Sequence, residues 1–168
     1  RGNGSTLTFK GNFTKTGTFT ANTSTSVFNG AAGAQTIGGS GTTTFYNLTC
    51  GNTAGGIATA NNVTVSNNFS ITSGTVTVGA FSFIVTGTST LSGTFTISST
   101  TGTHNFGNVT INGSGNWNCT VAEAFTISGN ITNNGIFTSN SGQYTLSGAA
   151  KNLNGASLQF VSTRINGS

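Results

Sequence analysis

The chain has 168 residues, of which only 4% are charged, against about 25% in an average soluble domain. Its net charge of +4 reflects one acid, Glu123, and five basic residues near the two ends: Arg1, Lys10, Lys15, Lys151 and Arg164. A single acid cannot supply the carboxylate pair of a glycosidase, and basic residues this sparse do not form a phosphate-tracking groove. We therefore expect neither an enzyme nor a nucleic-acid-binding protein.

A long repeat is the first element along the chain. Residues 11–32 recur 118 positions later as residues 129–150, with identical residues at 10 of the 22 aligned positions. Such self-similarity is typical of repeat proteins, whose units bury their apolar faces by stacking on neighbours. We expect residues 1–168 to be a single repeat segment, with related stretches at 11–51 and 129–168. We also expect it to be part of a longer array or polymer.

Short runs of alternating apolar and polar residues follow throughout the chain. Typical examples are residues 75–78 (TVTV), 95–97 (FTI), 109–111 (VTI), 125–127 (FTI) and 144–146 (YTL). Period-2 alternation predicts strands with one buried face, and these runs are too short for a stable flat sheet. The chain is therefore predicted to be all-β, a right-handed parallel β-solenoid of about seven or eight turns with 20–25 residues per turn. The absence of Pro agrees with central strands, which need every backbone N–H.

The buried interior is predicted to contain columns of large apolar side chains, one from each turn. The expected core aromatic residues are Phe13, Phe19, Phe28, Phe83, Phe95, Trp117, Phe125, Phe137 and Phe160. Four of them, Phe13, Phe19, Phe137 and Phe160, are closest to the two ends of the chain. Asn residues at the corners are expected to stack in ladders along the axis, and Gly is expected where corners require unusual dihedral angles.

Residues 27–49, VFNGAAGAQTIGGSGTTTFYNLT, contain the most distinctive vocabulary, which returns as Asn-Val-Thr and Gly-Thr-Phe-Thr units further along. This run resembles the repeats of large bacterial secreted and cell-surface β-strand-repeat proteins, including adhesin and autotransporter-passenger stalks. The resemblance implies an extracellular β-solenoid with a structural or adhesive role. It brings no catalytic residues to this chain, and Cys50 stands where those repeats usually have an aliphatic residue.

The two cysteines, Cys50 and Cys119, are both expected to point inward. Cys119 alternates with Trp117, and Cys50 alternates with Leu48. Their separation of 69 residues is about three turns, or about 14 Å along the axis, which exceeds the Cα distance of a disulfide. Buried free thiols are therefore favoured, while an intrachain disulfide and a link between chains remain alternatives.

His104 and Glu123 are the only histidine and the only acid of the chain. In principle they could form a Ser–His–acid triad, but Ser is so abundant that no nucleophile is indicated. We expect His104 to be a solvated side chain near a turn, and we expect no catalytic residue and no cofactor. Calcium sites of the nonapeptide type need Asp, which is absent, and one His with two distant Cys does not make a zinc site.

Asn-X-Ser/Thr triplets occur throughout the chain. As structural residues these asparagines would stack at corners, and as glycan acceptors they would lie on the surface. The candidate acceptors are Asn12, Asn22, Asn47, Asn62, Asn68, Asn108, Asn118 and Asn130.

The function predicted from these observations is structural. We expect a secreted or cell-surface subunit of an extracellular filament or adhesin stalk, which assembles head-to-tail because its end turns are uncapped. The expected partners are copies of itself and surface glycans, with no nucleic acid and no membrane span. The alternatives are a ligand-binding solenoid, which binds ice through Thr-X-Thr rows or binds carbohydrate, and a phage or secretion fibre segment.

Overall fold

The computed structural model describes residues 4–149, 151–161 and 163–166, and these residues form strands, turns and irregular segments without a helix. In chain order the strands are β1 (Thr6–Phe9), β2 (Phe13–Lys15), β3 (Thr25–Phe28), β4 (Gln35–Gly39), β5 (Thr43–Phe45), β6 (Asn47–Cys50), β7 (Ile57–Thr59), β8 (Val63–Val65), β9 (Phe69–Ile71), β10 (Thr75–Val78), β11 (Phe83–Leu91), β12 (Thr94–Ile97), β13 (His104–Ile111), β14 (Asn116–Cys119), β15 (Phe125–Ile127), β16 (Ile131–Asn133), β17 (Ile136–Thr138), β18 (Tyr144–Ser147), β19 (Leu153–Gly155) and β20 (Thr163–Asn166).

All described strand pairs are parallel, and they stack into three faces that each turn visits in the order A, B, C. Face A contains β1, β3, β6, β9, the second halves of β11 and β13, β16 and β19. Face B contains β2, β4, β7, β10, β12, β14 and β17, and face C contains β5, β8, the first halves of β11 and β13, β15, β18 and β20. Because β11 and β13 run across a corner, faces A and C join into one 13-stranded sheet.

The strands of face A count the turns. Eight of them lie over one another from β1 to β19, with offsets from 19 residues (Thr6 to Thr25) to 22 residues (Ile131 to Leu153). The predicted all-β parallel β-solenoid of about eight turns is thus confirmed. At about 4.8 Å per turn, the rod is about 38 Å long.

The core lies inside the coil, where inward side chains of successive turns form axial columns. Five of the nine expected core aromatic residues are fully buried: Phe28, Phe83, Phe95, Trp117 and Phe125. The other four, Phe13, Phe19, Phe137 and Phe160, are only partly buried against this core. The reason is their position in the end turns, where a neighbouring turn covers one side only.

The aromatic rings of the described residues fall into two contact groups. The first joins Phe9, Phe13, Phe19, Phe28 and Phe45, with ring centroids 4.7–6.3 Å apart. The second runs from Phe69 through Trp117 to Phe160. Each group therefore ends at partly buried rings in an end turn.

Asparagine ladders close the corner between faces C and A. The side-chain oxygen of Asn47 accepts a hydrogen bond from the backbone N–H of Asn68 (3.2 Å), and Asn68 accepts one from Thr88 (3.2 Å). Asn108 likewise accepts from Asn130 (2.8 Å), and Asn130 from Asn152 (3.1 Å). Each amide thus satisfies a backbone donor that leaves the strand ladder at the bend.

The long sequence repeat is rotated by one face in the structure. Phe13 of the first copy lies on face B, whereas its counterpart Ile131 lies on face A. Phe28 lies on face A and its counterpart Leu146 on face C. The offset of 118 residues is therefore not a whole number of turns, and one face with its corner is the smaller unit that repeats.

Candidate functional site

The first candidate surface is the N-terminal end turn. Strand β2 is an outer strand of the face B sheet, and β1 is an outer strand of face A. Behind them Phe9, Phe13 and Phe19 are partly buried. A depression of about 250 Å³ lies beside Phe19, where residues 18–21 do not form a strand under β5. This end thus presents unpaired strand edges over an apolar cross-section.

The second candidate surface is the C-terminal end turn. Strand β17 is the other outer strand of face B, and its Ile136 side chain is 59% exposed. Leu153 on face A and Val161 are 45% and 67% exposed. A groove of about 560 Å³ runs between β17 and residues 159–161, with Phe137 and Phe160 in its wall. These are the exposed large apolar side chains of the described residues, and all of them lie at this end.

A buried polar cluster lies inside the sixth turn, where face B turns into face C. It contains Glu123, His104, Cys119 and Tyr144, with exposed fractions of 1%, 2%, 3% and 0%. Both carboxylate oxygens of Glu123 and Nδ1 of His104 lack a hydrogen-bond partner among the described residues. The indole Nε1 of Trp117 donates to Sγ of Cys119 (3.1 Å), and the Tyr144 hydroxyl donates to the Asn140 carbonyl (2.6 Å). We place the cluster in the core, because the depression of about 210 Å³ above it is shallow and its reactive atoms are covered.

The expectation that His104 is solvated is wrong. His104 is the first residue of β13, where its side chain points inward between Phe83 and Phe125 of the neighbouring turns. The imidazole Nε2 lies 3.3 Å from the Phe81 carbonyl oxygen. The inward position follows from alternation with Phe106, two residues later, and that alternation was visible in the sequence.

Burial controls the acid–base properties of this cluster. It lowers the pKa of His104, and it outweighs the carbonyls of Ala124 and Phe81 and the charge of Glu123, which favour the protonated ring. Burial raises the pKa of Cys119, and the neighbouring Glu123 raises it further. Burial also raises the pKa of Tyr144 to about 12. The imidazole is therefore neutral at pH 7, and the thiol and phenol are protonated.

We expect the free energy of unfolding to fall as the pH drops below about 6.5. The unfolded chain binds a proton at the ordinary histidine pKa, whereas the folded chain resists protonation until its own lower pKa is reached. His104 is the only histidine, so urea unfolding at pH 7 and pH 5 should isolate its effect. The variant His104→Phe, which matches Phe83 and Phe125 in the same column, should lose this pH dependence. An unchanged pH profile in the variant would contradict the assignment.

Both cysteines are free and buried, in agreement with the favoured prediction. Burial raises the pKa of each thiol, so the nucleophilic thiolate is scarce. We expect iodoacetamide to label neither Cys50 nor Cys119 in the native chain at pH 8, and to label both in urea. Mass spectrometry of the labelled chain measures the count, and rapid native labelling would show that a corner opens.

Most candidate glycan acceptors lie at corners of the coil. Asn12 and Asn62 accept hydrogen bonds from Thr36 N–H and Ser82 N–H of the next turn, both at 2.9 Å. Asn47, Asn68, Asn108 and Asn130 form the ladders described above. Asn22 has a positive φ of 48°, and Asn118 points outward from β14. These asparagines thus have a structural role, and their glycosylation stays a prediction.

The outward side of face B tests whether threonines form a regular array. Thr75 and Thr77 lie beside Thr94 and Thr96, but the next turns carry Asn116 and Asn118 and then Ile136 and Thr138. The Thr-X-Thr pattern therefore spans two neighbouring turns only. No observation here favours ice binding over a structural role for threonine on an exposed strand.

Within residues 4–149, 151–161 and 163–166, no three His, Cys, Asp or Glu side chains are arranged to hold a metal ion. The same residues contain no helix long and apolar enough to span a membrane. The two end turns are thus the surfaces whose composition and pairing call for a partner. No protein-family model, curated protein or solved structure matches this chain.

Proposed function

We propose that the chain is a structural segment of an extracellular filament or cell-surface stalk, and that copies assemble head-to-tail through their end turns. The observation that carries this proposal is the pair of open end turns. They combine unpaired strand edges with partly buried Phe9, Phe13 and Phe19 at one end and exposed Ile136, Leu153 and Val161 at the other. An end of this kind is a template for further parallel strands.

Stacking of a second copy supplies what each end turn lacks. The unpaired backbone groups of β2 and β17 would continue the parallel ladder, and the aromatic groups at the two ends would become continuous. Solenoid stability is close to a sum of turn and interface contributions, so a junction of this kind resembles the interfaces already present between turns. The proposed second copy therefore requires no new kind of contact.

An extracellular location and the absence of catalysis are part of the same proposal. The surface is rich in hydroxyl and amide groups and poor in charge, as expected for a stalk exposed to solvent outside a cell. The buried position of His104, Glu123 and Cys119 supports a structural role for them. Antibody labelling of intact producing cells tests the location.

Electron microscopy and light scattering of the purified chain at increasing concentration test the assembly. We expect unbranched rods one solenoid wide, whose lengths increase with concentration. Particles that remain monodisperse at every concentration would overturn the proposal. Compact trimers would instead favour the fibre-segment alternative.

A further inference from the structure

One inward column of face A begins with a large side chain and ends with none. The strand register places Phe9, Phe28, Cys50, Ile71, Leu91, Ile111, Asn133 and Gly155 over one another. Gly155 has a φ of +106°, a backbone conformation that favours glycine, and an added Cβ would overlap the Asn133 backbone. The gap at Gly155 is thus a fixed feature of the C-terminal end.

The first inward column of face B has the opposite order. Gly11 lies at its lower end, since its carbonyl accepts a hydrogen bond from Nε2 of Gln35 (2.7 Å). The column continues through Gln35, Ile57, Val76, Phe95, Trp117 and Phe137. Phe160 packs on Phe137 at its upper end, with ring centroids 5.1 Å apart.

We propose that the two ends interlock in one register, with Phe9 of one copy over Gly155 of the preceding copy and Gly11 over Phe160. This inference rests on the proposed head-to-tail assembly and specifies its geometry. Each end offers one ring and one glycine, so the rings of the two ends fill each other's gaps. The same register places Leu7 over Leu153, which covers a side chain that is 45% exposed in the single chain.

Polar groups of face A agree with this register. The carboxamide of Asn152 is the last in its ladder among the described residues, and each earlier Asn oxygen accepts a backbone N–H from the turn above. In the proposed register that donor is Thr6 N–H of the next copy. The Ile131 N–H donates to the Asn152 carbonyl (3.0 Å), and by the same pattern Leu153 N–H would donate to Thr6.

Other registers are less complementary. A shift of one residue would turn Phe9 outward and Thr8 inward, because successive strand residues face opposite sides. A shift of two residues would place Phe9 over Leu153 and leave the gap at Gly155 open. The ring-and-glycine pairing therefore selects one register.

Disulfide trapping tests the register. Neighbouring outward residues of adjacent turns have Cα atoms about 4.8 Å apart, within the range of a disulfide. We expect a mixture of Thr8→Cys and Asn154→Cys chains to form covalent dimers under oxidised glutathione, at least tenfold more than a mixture of Thr8→Cys and Asn152→Cys. Each variant alone gives the background from side-by-side contacts.

Glycine substitution tests the interlock itself. An added Cβ at Gly11 meets no atom within 4 Å, and the same is true of Gly79 in the middle of the rod. We expect Gly11→Leu to leave the melting temperature unchanged and to reduce assembly at least tenfold, while Gly79→Leu assembles normally. Rods that form with equal trapping of both cysteine pairs, or with Gly11→Leu unaffected, would overturn the register but leave head-to-tail assembly standing. A wild-type chain that forms no rods would overturn both.

Discussion

Replacement of Trp117 by alanine should lower the free energy of unfolding by about 3–5 kcal/mol, as for other buried aromatic residues. Trp117 is fully buried, and its ring centroid lies 5.1 Å from Phe95, 4.8 Å from Phe106 and 5.2 Å from Phe125. Truncation would also remove the indole N–H that hydrogen-bonds to Cys119. Parallel ladders hold the turns above and below, so the cavity cannot easily collapse.

Asn118→Ala is the matched control, because Asn118 is the next residue of β14 and points outward. Its effect should be within about 0.5 kcal/mol, the usual range for surface substitutions. Urea unfolding followed by circular dichroism measures both variants. A loss below about 1 kcal/mol for Trp117→Ala would mean that the sixth turn is loosely packed. The local loss could also uncouple the turns on either side of Trp117, since a solenoid turn contacts only its neighbours, and a second unfolding transition would reveal this.

The solenoid could be predicted from the sequence because its elements are short and local. In triplets such as Asn47-Leu48-Thr49 and Asn108-Val109-Thr110, the Asn oxygen accepts a backbone N–H at the corner. The apolar residue is buried and the threonine points outward. A corner followed by a half-buried strand therefore produces the same letters as a glycosylation triplet, which explains why these triplets recur along the chain.

Long-range placement was harder to predict. The sequence repeat indicates that residues 11–32 and 129–150 are alike, but any of the three faces can accept the same strand and corner. Their rotation by one face depends on the summed lengths of the intervening turns, which vary from 19 to 22 residues.

The buried polar cluster escaped prediction for a related reason. Glu123 lies in a corner segment, TVAEA, that has no alternation to indicate which side chains point inward. Its proximity to His104 depends on how the corners of the fifth, sixth and seventh turns stack. The candidate end surfaces were easier to anticipate, since Phe13, Phe19, Phe137 and Phe160 are placed by strand alternation near the chain ends.

Assembly should become stronger as salt is added, and replacement of two lysines should reverse that response. Lys10 and Lys15 belong to the N-terminal turn, and Lys151 and Arg164 to the last turns, while the only acid, Glu123, is buried in the sixth turn. Head-to-tail stacking therefore brings two positive charges against two others. At separations of about 10 Å in water the four cross-pairs cost about 1–2 kcal/mol, and 0.15 M salt screens most of this cost because the Debye length is then about 8 Å.

The double variant Lys10→Glu and Lys15→Glu converts this repulsion into attraction of similar size. The swing of about 3 kcal/mol corresponds to assembly on the order of 100-fold tighter at low salt, and added salt should now weaken it. Light scattering at 10 mM and 150 mM salt measures both signs. Lys10→Gln with Lys15→Gln should be nearly insensitive to salt. Thr64→Glu with Thr90→Glu gives the same net charge in the middle of the rod and should keep most of the wild-type response. If the Glu variant still assembles better in high salt, the lysines of one copy do not face the basic residues of the next, and the head-to-tail contact is wrong.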